Sequence, residues 1–228
     1  MQYRSGAPMS QPHLVYFADP MCSWCYGFAP VIEAIRSEFG HRLQIRLILG
    51  GLRPGTTAPM DAAAKARTRE HWDHVHEASG QVFDDAFFER DGFIYDTEPA
   101  CRAAVLARRQ SPDAALDLLD RLHRAFYSGN RDITDPAVLA AIAGEAGLDQ
   151  AAFAAHFNDA DLREETARDF RISQQTGVTG FPTVIAGSGR DSDYAMLTAG
   201  FQAKQRIMPA LARWLDQQPG SAQSGTAA

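Results

Sequence analysis

Two cysteines three residues apart, Cys22 and Cys25, stand between a short apolar run and a stretch of helical periodicity, and this placement constrains the fold more than any other feature. Before them, Leu14 to Phe17 is apolar and bounded by Pro12 and by Asp19-Pro20, the pattern of a buried strand that ends in a turn. After them, Phe28, Ile32, Ile35 and Phe39 recur at helical spacing, and Gly40 supplies the stop. Pro30 lies inside that stretch. It has no amide proton and crowds the carbonyl of Tyr26, so a bend is expected near the helix's first turns. Leu43 to Leu49 alternates and then becomes continuously apolar, which predicts a second strand, closed by Gly50-Gly51 and Pro54-Gly55. A right-handed crossover then puts the two strands parallel in one sheet.

From about Pro59 to Gly177 the pattern changes to Ala-rich helical segments, predicted near 60–79, 98–110, 112–128, 136–146, 150–157 and 161–176, with a short one near 84–90. Ser111-Pro112 and Asp135-Pro136 each place a capping side chain before a proline suited to a first helical turn, while Gly129, Gly147 and Gly177 fall where helices should end. Strand character returns in Thr183 to Ala186 and Ala195 to Ala199. A last helix is expected from about Gln202 to Gln218, carrying Ile207, Leu211 and Trp214, with Pro209 either kinking it or marking its true start. The tail from Pro219 is rich in Gly, Ser and Ala and is expected to be disordered. The chain is thus read as an α/β fold in two parts, 12–56 and 177–218, separated by a helical insertion domain over 57–176 and followed by a tail, 219–228.

Composition narrows the function. A net charge of −6 argues against a general nucleic-acid binder, which would show a basic surface. No segment approaches the length of a membrane span, and the first eleven residues hold no apolar stretch fit for a signal-peptide core, so a cytoplasmic protein without a membrane partner is expected. The 3 cysteines agree, since a secreted disulfide framework would show an even number.

At a helix start, the spacing of Cys22 and Cys25 puts both sulfurs on one face, within reach of a disulfide. Unpaired first-turn amides and the helix dipole favour a thiolate at Cys22, the form that attacks disulfides. Cys25, one turn further in, falls on the stripe of Phe28 and Ile32 and should be shielded. Cys22 is accordingly read as the exposed nucleophile and Cys25 as the resolving thiol. Two other readings stand beside this one. A zinc site would need ligands beyond one C-x-x-C and distant histidines, and a cysteine pair can also simply fill core space.

The segment Phe17-Ala18-Asp19-Pro20-Met21-Cys22-Ser23-Trp24-Cys25 resembles the active-site segment of the DsbA family of thioredoxin-like proteins. Gly177-Val178-Thr179-Gly180-Phe181-Pro182-Thr183 resembles that family's cis-proline loop. The match is strongest to the cytoplasmic FrnE-like branch and covers nearly the whole chain. The resemblance implies a thioredoxin-like fold interrupted by a large all-helical insertion, with a cis Pro182 against the cysteine pair and the backbone of Phe181 available to an extended substrate segment. Trp24, Tyr26 and Phe181 would surround the sulfurs. One departure matters: many relatives carry proline between the cysteines, where this chain has Ser23-Trp24. Neither residue brings a positive charge, which implies a milder oxidant.

Two features of the insertion carry weaker signals. His71, His74 and His76 include one pair on a helical face, read as a solvated or groove-lining face in preference to a metal site. Thr97-Glu98-Pro99-Ala100-Cys101 reads as a helix start, with Asp96 or Thr97 as cap and Cys101 as a packing residue. The leading expectation is dithiol-disulfide exchange by a reductase or isomerase acting on protein thiols and disulfides, with no cofactor or metal and with glutathione as an eligible redox partner. A glutathione-dependent transferase or isomerase of the kappa or hydroxychromene-carboxylate isomerase type is the alternative. A chaperone or adaptor on the same scaffold is the third.

Overall fold

The apolar run ahead of the cysteines forms β1 (His13–Ala18), and the helical stripe behind them forms α1 (Ser23–Phe39). The computed structural model describes residues 11–189 and 194–218; the predicted disordered tail, 219–228, lies outside the described residues. After α1 comes β2 (Gln44–Leu49), paired parallel to β1 from His13 opposite Gln44 to Ala18 opposite Leu49. Near the end of the chain, β3 (Thr183–Gly187) lies antiparallel on the other side of β1, and β4 (Tyr194–Ala199) lies antiparallel beyond it. The sheet order is therefore β2-β1-β3-β4. In this register Phe17 faces Thr183, so the end of β1 that leads into the cysteines adjoins the start of β3 that follows Pro182. Sheet pairing thus joins two motifs far apart in sequence.

Between β2 and β3 run α2 (Ala62–Ser79), a 3-10 turn (Asp85–Glu89), α3 (Glu98–Arg108), α4 (Pro112–Tyr127), α5 (Pro136–Glu145), α6 (Gln150–His156) and α7 (Ala160–Gln175); α8 (Lys204–Asp216) closes the chain. Ser111 accepts from the Ala114 amide and Asp135 from the Ala137 amide, the caps that hold the starts of α4 and α5. At α3, Asp96 Oδ1 accepts the Glu98 amide, while Thr97 Oγ1 turns away to accept the Arg53 amide. Pro209 lies inside α8, five residues after its start, and so does not mark the helix's beginning.

α1 runs through Pro30 without interruption. The amide that proline cannot supply to the Tyr26 carbonyl is replaced by Gln81 Nε2, which donates to it at 2.9 Å.

One face of β1 presents Leu14, Tyr16 and Ala18, which pack with Cys25, Phe28 and Ile35 of α1 and with Ile207 and Leu211 of α8. A second cluster, rich in aromatic rings, joins Trp72, Phe87, Phe93, Tyr95, Phe126 and Tyr127 from the helices and loops after β2. A buried guanidinium fastens these helices to the sheet. Arg108 of α3 donates to both oxygens of Asp169 on α7, at 2.6 and 3.1 Å, to Glu165 at 3.0 Å and to the Leu47 carbonyl of β2 at 2.9 Å. Asp169 also accepts the Leu49 amide at 3.0 Å. No helix among the described residues is long and apolar enough to cross a membrane.

Candidate active site

Cys22 is the N-cap of α1, with extended backbone angles and no side-chain capping bond. The first helical amides there lack intrahelical partners and point their partial positive charge toward the sulfur. The Cys22 thiol donates to the Phe181 carbonyl at 3.6 Å, and the Phe181-Pro182 peptide is cis. Room for this approach depends on Gly50, because a Cβ at that position would overlap the Phe181 ring. All three cysteines are free thiols.

The expectation of an exposed Cys22 needs correction. Its residual exposure is 6%, against 0% for Cys25, because the Phe181 loop lies over the helix start. The contrast between the two sulfurs survives only as a narrow window on one of them. Burial pushes the Cys25 thiol well above its ordinary range, with the neighbouring Cys22 sulfur and the Asp19 carboxyl adding to the effect.

Asp19 lies beneath the pair and is fully buried. Its Oδ1 accepts the Met21 amide at 2.9 Å; its Oδ2 accepts the Leu52 amide at 2.7 Å and the Cys101 thiol at 3.3 Å. Desolvation raises the carboxyl's pKa, and these donors oppose the rise. Cys101 is thus a buried thiol tied to Asp19, with its own pKa pushed up by burial and by that carboxyl.

His123 of α4 is a further buried titratable group at this end of β1. Its Nε2 lies 3.2 Å from the Asp19 carbonyl. A carbonyl only accepts, so Nε2 carries the proton and the neutral ring leaves Nδ1 as a bare acceptor. Burial lowers the imidazole pKa to about 4, against the hydrogen bond to Asp19. His123 Nδ1 has no partner, and neither does the buried hydroxyl of Tyr16. Both residues line a cavity of about 470 Å³ between α1 and α4, together with Ile32, Glu33, Asp120 and Arg124.

The remaining predicted residues divide by environment. Ser23 is half-buried. Trp24 is half-buried too, its ring 5.6 Å from that of Phe201. Tyr26 does not join the rings around the sulfurs: it stacks on Tyr127 at 5.0 Å, and its hydroxyl donates to the Val82 carbonyl. Residue 26 is four positions after Cys22 but faces the aromatic cluster, where Met21 also packs. His71, His74 and His76 lie exposed on α2, and His76 Nδ1 bonds the Gln81 carbonyl. Among the described residues no group of three or more His, Cys, Asp or Glu is placed to hold a metal ion.

Sequence reasoning missed Asp19, His123 and Tyr16 as parts of one site. Asp19 reads as a turn residue before Pro20, and Tyr16 as ordinary strand core. The available signal was His123, a lone imidazole on the apolar stripe of Leu116, Leu119 and Phe126.

Comparison with known proteins bears on this geometry. The model of the DSBA-like thioredoxin domain matches residues 13–204. A candidate protein disulfide isomerase from Nitrosomonas europaea superposes with a TM-score of 0.83 and 35% identity, over 91% of this chain and 98% of that one. The cytosolic disulfide reductase DsbM from Pseudomonas aeruginosa, solved also with glutathione, superposes with a TM-score of 0.67 and 29% identity, over 90% of this chain and 93% of that one. Among curated proteins, the ClpXP adapter protein SpxH of Shouchella clausii is 27% identical over 179 residues, covering 78% of this chain and 59% of SpxH. The chain therefore spans about three fifths of that relative's length.

Proposed function

The chain belongs to the DSBA-like thioredoxin family, and from that premise we propose that it is a thiol-disulfide oxidoreductase that reduces or isomerises protein disulfides through Cys22 and Cys25. The observation that carries the reading is the asymmetry of the pair: Cys22 at the helix N-cap keeps a window to solvent beside the Phe181 carbonyl, and Cys25 has none. Cys22 attacks a substrate disulfide, forming a mixed disulfide and releasing one substrate thiolate. Cys25 then loses its proton and attacks the Cys22 sulfur. The second substrate thiol leaves, and the protein retains the Cys22–Cys25 disulfide. Two thiols of the glutathione class return the pair to the dithiol, the first forming a mixed disulfide with Cys22 and the second releasing it as the disulfide of the two. The Pseudomonas reductase crystallised with glutathione supports that choice of reductant, and its cytosolic setting supports a reducing compartment for this chain. Trp24, Phe181 and Pro182 would line the substrate's path, with Ser23 between the sulfurs.

The test is trapping. A Cys25→Ser variant should accumulate mixed disulfides with protein substrates, Cys22→Ser should accumulate none, and the unaltered protein should reduce insulin in glutathione buffer. Absence of both trapping and insulin reduction refutes the proposal.

The similarity to SpxH favours a second reading, an adaptor that presents a client protein to a protease. It predicts a client complex that survives in the Cys22→Ser, Cys25→Ser double variant; exchange chemistry predicts one that is lost.

A further inference from the structure

Resolution of the mixed disulfide requires Cys25 to shed a proton, yet Cys25 has no contact with solvent. Its surroundings hold two oxygen groups able to take part. The Asp19 carboxyl already accepts from Met21, Leu52 and Cys101, which leaves it little free capacity. The Tyr16 hydroxyl is different. It is buried on the face of β1 that packs against α1, near enough to the Cys25 and Cys22 sulfurs for both to raise its pKa, it has no well-formed hydrogen bond, and its residue lines the cavity between α1 and α4. The cavity's other unpaired buried atom is His123 Nδ1, an acceptor. Its rim is charged, with Glu33 and Arg36 on α1 and Asp120 and Arg124 on α4.

Two buried polar atoms without partners, on residues that line one cavity, are groups that cost free energy unless water from that cavity reaches them. A cavity of this size with charged side chains at its rim has room for several waters, each needing two to four partners. The geometry points to Tyr16 as a proton-relay residue: its hydroxyl accepts the Cys25 thiol proton while passing its own proton to water in the α1–α4 cavity, within which His123 Nδ1 is a further acceptor. The inference rests on the exchange reading above. Proton and electron balance are closed: the S–H proton ends in solvent by way of the phenol, and the Cys25 thiolate attacks the Cys22 sulfur. The S–S bond between Cys22 and substrate breaks as the Cys22–Cys25 bond forms. Tyr16 ends as it began, a neutral phenol. Burial and the two nearby sulfurs keep it from ionising, so it relays a proton and does not store the charge.

Ellman's reagent tests this in one stopped-flow trace, because Cys22 attack releases the first equivalent of thionitrobenzoate and Cys25 attack releases the second. Tyr16→Phe removes a buried oxygen that makes no well-formed hydrogen bond, so its melting temperature should match or exceed that of the parent. Its first phase should be unchanged, and its second should slow by about tenfold or more, with the pH profile of that phase displaced upward. Ala29 of α1 also lines the cavity, and Ala29→Leu, which fills part of it while keeping Tyr16, should slow the same phase alone and carries the test if Tyr16→Phe fails to fold. If the parent releases one equivalent only, the exchange reading falls and the relay with it. If the parent releases two, and the variant that folds retains the parental second phase or slows both phases together, the relay is overturned while exchange stands.

Discussion

Lowering the pH from 7 to 5 should destabilise the protein through His123 by an amount the structure sets. The imidazole is buried with its pKa lowered to about 4, whereas an unfolded chain titrates it near 6.5. A histidine whose folded pKa is depressed contributes stability that is present above the unfolded value and is lost as pH falls, because the unfolded chain takes up the proton first. The window is therefore 6.5 down to 4. The full gap corresponds to about 3.4 kcal/mol, of which roughly 2 kcal/mol is already lost at pH 5. For a chain of this size that is a fall in melting temperature of about 4 to 8 °C. Carboxylates titrate in the same range, so the measurement is a difference. Thermal melts of the parent and of His123→Gln, which retains a donor for the Asp19 carbonyl, are compared at pH 7, 6 and 5. The parent should lose stability more steeply than the variant by the stated amount. Parallel pH curves would refute the claim that this ring is held neutral by burial.

Two further perturbations probe how the scaffold holds the site. Arg108→Met leaves Asp169 without the guanidinium that fills both its oxygens and removes the donor to the Leu47 carbonyl, so denaturant melts should show a loss of about 3 to 5 kcal/mol; a loss below about 1 kcal/mol would mean that the buried network is not coupled to folding. Gly50→Ala forces the Phe181 ring aside and with it the carbonyl that meets the Cys22 thiol, so insulin reduction should fall while Phe181→Ala in the same background restores part of it; unchanged activity in Gly50→Ala would detach that loop from the chemistry.

Much of the scaffold was legible because its signals are local. The apolar run before Asp19, the helical stripe from Phe28 to Phe39 and the Ser111-Pro112 and Asp135-Pro136 caps each depend on neighbours a few residues away, and the corresponding elements β1, α1, α4 and α5 lie where the spacing puts them. Alternatives stayed open, or errors arose, where a residue's partner lies elsewhere in the chain. Whether Asp96 or Thr97 caps α3 depended on Arg53, which claims the Thr97 hydroxyl. The role of Cys22 as an exposed thiol depended on a loop that arrives from residue 181.

The same distinction explains why the proton-handling side of the site was invisible. Alternation along β1 sends Leu14, Tyr16 and Ala18 to one face, and a tyrosine in that series is indistinguishable by pattern from any other apolar strand residue. Only the packing of α1 and α4 over that face decides whether its hydroxyl meets a partner, and here none is supplied. His123 is hidden for the matching reason: on α4 it continues the stripe of Leu116 and Leu119, and its chemistry depends on reaching the Asp19 carbonyl across the interface with β1. A sequence advertises the thiols because their type and spacing carry the chemistry. Groups that would move a proton away from them are ordinary core residues until tertiary packing leaves an oxygen and a nitrogen unpaired in one cavity, and that is where mutation of a single hydroxyl should separate the two steps of exchange.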